Sequence, residues 1–149
     1  MNLEPGPYIS KSPAMLSLKQ YPKDYIAACR DKMDAQLAAY RKLIKTADAK
    51  SVTAFAPHFF NHLVLVLETN FVHRARGQEG KDGNVLNEVR LLATSLQQHE
   101  GVLTADKTIK YQPEESVLKL KLGAKIELTE PAFLTLSRAF FTEIEAKFR

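Results

Sequence analysis

His73-Arg74-Ala75-Arg76-Gly77-Gln78-Glu79-Gly80-Lys81-Asp82-Gly83-Asn84 is the most informative part of the chain. It holds three of the chain's six glycines, with both signs of charge packed between them. On each side of it, apolar residues recur at helical spacing. So short and polar a connection predicts two helices that fold back on one another, which is the beginning of a bundle.

Upstream, Phe60, Leu63, Val64, Leu67 and Phe71 make a broad apolar face. Pro57 suits a first helical turn, so a helix is expected from Pro57 to about Arg74, with residues 51–56 as a lead-in turn. Leu65, Val66 and Val72 make its other side apolar too, as in a central helix. Downstream, Asn84 is a favoured N-cap, and Leu86, Val89, Leu92, Ala93 and Leu96 keep a 3.6-residue period until Gly101 stops it.

Two more helices follow from the same signals. Ile26, Cys29, Met33, Leu37, Tyr40 and Ile44 form one stripe from about Tyr25 to Lys45. Near the C-terminus, Thr129 and Pro131 open a helix carrying Phe133, Leu136, Phe140, Ile144 and Phe148. Residues 102–115 read as loop. After them the period drops to two. Leu118, Leu120 and Leu122 alternate with lysines, Gly123-Ala124 makes a turn, and Ile126 and Leu128 flank Glu127. The expected fold is therefore mainly α: a four-helix bundle-like domain over residues 23–149, with one small β-hairpin at about 117–128 before the C-terminal helix.

Residues 1–22 carry four of the seven prolines, which favour extended backbone. Tyr8, Ile9, Met15, Leu16, Leu18 and Tyr21 make this segment too apolar for a solvated tail. It reads as an arm that packs on its own domain or is exchanged with a second subunit in a homodimer.

A net charge of +4, from 21 basic and 17 acidic residues, permits an acidic partner without demanding one. No block of like charge and no basic stretch interleaved with aromatics argues for nucleic acid. Cys29 is the single cysteine, so no intramolecular disulfide or cysteine metal cluster is available. Met1 to Pro7 lack the basic start and apolar run of a signal peptide. The longest aliphatic run, Leu63 to Leu67, is far short of the ~20 residues that span a bilayer. The expectation is a cytoplasmic protein with no membrane partner.

The candidate site lies at the helix–loop–helix junction, residues 73–90. Arg74, Arg76 and Lys81 bring positive charge to the N-terminus of the helix begun by Asn84, where backbone N–H groups favour anions. Asn87 and Arg90 continue as a polar stripe toward Thr94, and Arg90 has the reach of a bidentate clamp. Arg74, Arg76, Lys81, Asn84, Asn87 and Arg90 are thus candidate binding residues for a small anionic ligand or an acidic partner. His73, oriented by Glu79 or Asp82, offers general acid–base chemistry, so an enzyme acting on a phosphorylated or carboxylated substrate is the alternative. A purely structural reading covers the same residues: dipole-complementing cations, a turn at Asp82-Gly83 and a cap at Asn84. The glycine spacing matches neither the dinucleotide fingerprint nor the P-loop. His58 and His62 stand one helical turn apart, but His73 is roughly 16 Å beyond His62, and no glutamate follows His58 in the metalloprotease pattern. No metal and no cofactor are expected.

Overall fold

The computed structural model describes residues 20–74 and 76–148. Four long helices build the domain: α1 (Lys23–Ile44), α2 (Ala49–Asn70), α4 (Val85–Gln98) and α5 (Glu130–Phe148). Between α2 and α4 stand a 3-10 turn, Val72–Arg74, and the single-turn helix α3 (Arg76–Glu79). Helix α2 packs against α1, α4 and α5, and α4 packs against α5, so α2 is the central helix. No described helix is long and apolar enough to cross a membrane. Packing of the arm residues 1–19 lies outside the described residues.

The apolar stripes set this arrangement. Ile26, Met33, Leu37 and Tyr40 of α1 are buried, as are Phe60, Leu63, Val64 and Leu67 of α2 and Phe133, Leu136, Phe140, Ile144 and Phe148 of α5. Cys29 is only half-buried, and burial pushes its thiol up rather than down, away from reactivity.

Helix α2 departs from expectation at both ends. It begins at Ala49, and Pro57 lies inside it. Asp48 supplies the reason, because its carboxylate accepts the Ser51 N–H at 2.9 Å and caps the helix well before the proline. At the other end the helix stops at Asn70, short of Arg74. The Tyr25 hydroxyl donates to the Asn70 carbonyl and the Tyr21 hydroxyl to the Phe71 carbonyl, so both free carbonyls find partners there. Phe71 is fully buried, with the rings of Tyr21, Tyr25, Phe140 and Phe141 between 5.2 and 5.7 Å away. Edge-to-face contacts of this kind add to simple burial.

The β-hairpin expected at 117–128 does not form, and the described residues contain no strand. Residues 117–120 spend their polar groups elsewhere. Val117 and Leu118 donate their N–H groups to the Glu88 carboxylate at 2.8 and 2.9 Å, and the Leu120 carbonyl accepts the Tyr111 hydroxyl. Lys119 takes a left-handed φ of 57°, which breaks the extended backbone. The second half pairs with residues 101–103, just after α4, instead. Gly123 N–H donates to the Leu103 carbonyl at 2.8 Å, Leu103 N–H to the Ala124 carbonyl at 2.9 Å, and Ile126 N–H to the Gly101 carbonyl at 2.8 Å. The alternation was a true sign of half-buried chain, since Leu118 and Leu120 pack on the core, but it could not say against what.

Glu88 is 2% exposed and no cation pairs with it among the described residues. Burial raises its pKa, against the lowering effect of the Leu118 and Val117 N–H groups. A raised folded pKa means that its contribution is fully present below the ordinary carboxylate range and is lost as pH rises through the raised value. Glu88→Gln should therefore gain on the native protein as pH rises from acidic to neutral. Melting temperatures of both proteins across that range would check it, and a gap that does not move with pH would contradict it.

Candidate functional site

The junction between α2 and α4 is built around a buried carboxylate. Glu79, at the end of α3, is 1% exposed. One oxygen accepts from the Arg90 guanidinium at 2.9 Å and the other from the Asn87 amide at 2.6 Å. Arg76 stands 3.9 Å from the first oxygen and 3.2 Å from Glu68. Arg90 reaches on to Asp106 at 3.4 Å, whose carboxyl is held below its usual range chiefly by Thr108. The result is a chain of alternating charges, Glu68–Arg76–Glu79–Arg90–Asp106, running from α2 through the junction to the loop after α4.

Local sequence dictates how Glu79 gets its donors. Asn84 is the N-cap of α4, and its side-chain oxygen accepts from Leu86 and Asn87 N–H at 2.9 and 3.1 Å. Asn87 closes a capping box by accepting the Asn84 and Gly83 N–H groups at 3.2 and 2.9 Å. Its amide nitrogen is then aimed at Glu79 and at the Gly80 carbonyl, 2.9 Å away. The Asn84 amide donates to the Glu79 carbonyl at 2.8 Å and to Asp82 at 2.6 Å, and the latter contact holds the Asp82 carboxyl below the usual carboxylate range.

Gly83 has φ +89°, and a Cβ there would lie 2.2 Å from the Lys110 carbonyl oxygen. Both the backbone conformation and the close approach require glycine. The approach is fixed by the Lys110 N–H, which donates to the Lys81 carbonyl at 3.0 Å. From α5, the Lys147 ammonium donates to the Glu79 carbonyl at 3.1 Å.

Among the expected site residues, the structure brings Arg76, Glu79, Asp82, Asn84, Asn87 and Arg90 together, and they converge on one another. The N–H groups of Leu86 and Asn87 are engaged by Asn84, those of Gly83 and Asn84 by Asn87, and the cations of Arg76 and Arg90 by Glu68, Glu79 and Asp106. His73 stands apart, exposed, with its ring nitrogen 3.8 Å from Glu68. Lys81 is exposed at the rim. The Arg74 side chain lies outside the described residues. The His62 ring lies 2.6 Å from the His58 carbonyl one turn earlier in α2.

Four participants had not been singled out. Glu68 is the only charged residue from Thr53 to Thr69, and a lone carboxylate in so apolar a helix was a readable signal. Lys147 sat in an ordinary last helical turn, and Asp106 and Lys110 in an unpatterned loop, so nothing marked them.

Removing Glu79 leaves Arg90 and Asn87 facing a vacancy they cannot rehydrate. Glu79→Ala should cost about 3 kcal/mol in denaturant unfolding, and Gly83→Ala about 2 kcal/mol or more through strain and the Lys110 clash. A loss below about 0.5 kcal/mol for either would contradict this account.

In comparisons with protein-family models, curated proteins and solved structures, nothing matches the chain.

Proposed function

We propose that this protein is a helical binding module that takes an acidic partner on the rim of the 80–83 loop. The observation that carries this reading is the gathering of Lys81, Lys110 and Lys147, from three separate segments, around that one loop. The Lys81 carbonyl accepts the Lys110 N–H, and the Lys147 ammonium docks on the Glu79 carbonyl beside Gly80. Lys81 and Lys110 are exposed, and neither makes an ion pair among the described residues. Arg76 and Arg90 each face internal carboxylates, so Lys81 and Lys110 carry unpaired positive charge at the junction among the described residues, with Lys147 beside them. A compact, hydrated ammonium with three donors suits carboxylates presented by a partner surface.

The engaged N–H groups of α4 weigh against a single small anion buried at the helix end. The ring of His73 faces Glu68, while Glu79 and Asp82 are engaged by Asn87, Arg90 and Asn84 rather than orienting that histidine, which weighs against the acid–base alternative. An acidic partner touching exposed lysines needs neither.

Polyglutamate and inorganic phosphate are suitable probes. Polyglutamate should bind at low salt and release as salt rises. Lys81→Glu and Lys110→Glu should each weaken it about threefold, with melting temperatures unchanged. Phosphate should leave the melting temperature where it is. Absence of polyglutamate binding at low salt, or binding undiminished in the double variant, would overturn the proposal.

A further inference from the structure

Helices α1 and α5 both pack on α2, but they do not pack closely on one another. The groove between them is about 360 Å³, within the ~300–1,000 Å³ of small-molecule sites. Two ion pairs cross this groove and mark its ends. Arg30 meets Glu145 at 3.2 Å and Arg41 meets Glu130 at 2.9 Å. From Arg30 to Arg41 is about 16 Å along α1 at 1.5 Å per residue. The Arg30 guanidinium is held further by the Phe141 ring, whose centre lies 4.4 Å away.

The middle of the groove is different. Asp34 and Arg138 line it from opposite helices, yet among the described residues they pair neither with each other nor with any other charge. Ser137, next to Arg138, is 9% exposed, and its hydroxyl makes no hydrogen bond among the described residues. A hydroxyl so buried ordinarily has a partner, and this one opens on the groove. Leu37, Leu134 and Phe141 supply apolar surface beside it.

We propose that this groove binds a small zwitterion with an apolar side chain, an α-amino acid of the phenylalanine or leucine type. The cations at the two ends already face carboxylates, so the groove offers a ligand one unpaired cation and one unpaired anion among the described residues. A ligand that satisfies both carries a carboxylate and an ammonium on one body. The Arg138 guanidinium takes the carboxylate with its planar fork. Asp34 takes the ammonium, and the Ser137 hydroxyl donates to a carboxylate oxygen. The side chain then covers Leu37, Leu134 and Phe141, away from water. A simple anion suits the groove less well, because it would leave the Asp34 carboxylate facing a like charge.

Calorimetric titration of the full-length protein with phenylalanine reads this site. Phenylpropionate lacks the ammonium and phenethylamine lacks the carboxylate, so each should bind about tenfold more weakly than phenylalanine. Arg138→Gln and Asp34→Asn should each weaken phenylalanine about tenfold, and Ser137→Ala about threefold. Asp34→Asn should not weaken phenylpropionate, which has no ammonium to lose. Melting temperatures of the free variants should stay near that of the native protein, since none of these side chains has a partner to lose among the described residues. Absence of binding at millimolar phenylalanine would overturn the proposal, as would binding undiminished in Arg138→Gln or in Asp34→Asn. So would phenylpropionate binding as tightly as phenylalanine, which would assign the groove to a simple anion.

Discussion

A carboxylate held at 1% exposure has to find its donors inside the protein, and Glu79 sets the terms for everything around it. Desolvation of such a group costs several kcal/mol unless charge and hydrogen bonds offset it. Arg90 provides the charge and Asn87 the hydrogen bond, and both come from α4. Asn87 is available because the capping box with Asn84 fixes its side chain at the helix start. That box also needs the N–H of Gly83, which is free to point inward because glycine accepts a left-handed φ. The turn between α2 and α4 is thus a consequence of satisfying one buried acid. Its rigidity comes from shared partners rather than from any single strong bond.

The same accounting separates scaffold from surface. Arg76 and Arg90 looked like ligand-binding cations because they sit beside a helix N-terminus. Within the fold each already faces a carboxylate, Glu68 or Glu79 and Asp106. A guanidinium in a bidentate network is an anchor, and an outside anion would have to displace an internal one. The lysines differ. Their single charge sits at the end of a flexible stem, and neither the Lys81 nor the Lys110 ammonium makes an ion pair among the described residues. Charge that a fold does not need internally is the charge available to a partner.

How much of this could be read from residues alone follows the range of each interaction. The four helices were visible because an apolar stripe is a local pattern, and their packing partners are other stripes of the same kind. The Asn84 cap was visible because capping acts within one turn. Pro57 suits a first helical turn and so points to a later start of α2, whereas Asp48, a favoured N-cap nine positions before it, sets the start at Ala49; the ending at Asn70 depends on Tyr21 and Tyr25, about 45 to 50 residues away in sequence. The 117–128 segment failed for a related reason. Alternation reports which side chains are covered, whereas a strand is defined by where its backbone hydrogen bonds go, and Glu88 takes two of those donors. For the junction, the residues were identified but their direction was not. Spacing places Glu79, Asn87 and Arg90 near one another, and only the packing decides whether they enclose a ligand or each other.

The last turn of α5 ties these pieces together. Phe148 and Lys147 are adjacent and serve different neighbours. Phe148 is buried against Tyr21, whose backbone N–H donates to the Phe148 carbonyl at 3.0 Å, and Tyr21 in turn caps the end of α2. Lys147 reaches the Glu79 carbonyl and stands beside the 80–83 loop. A helix end is ordinarily the first part of a helix to fray. Here its two side chains close the aromatic cluster and the junction together, so opening that turn would loosen the cap on the end of α2 and withdraw Lys147 from the Glu79 carbonyl at once.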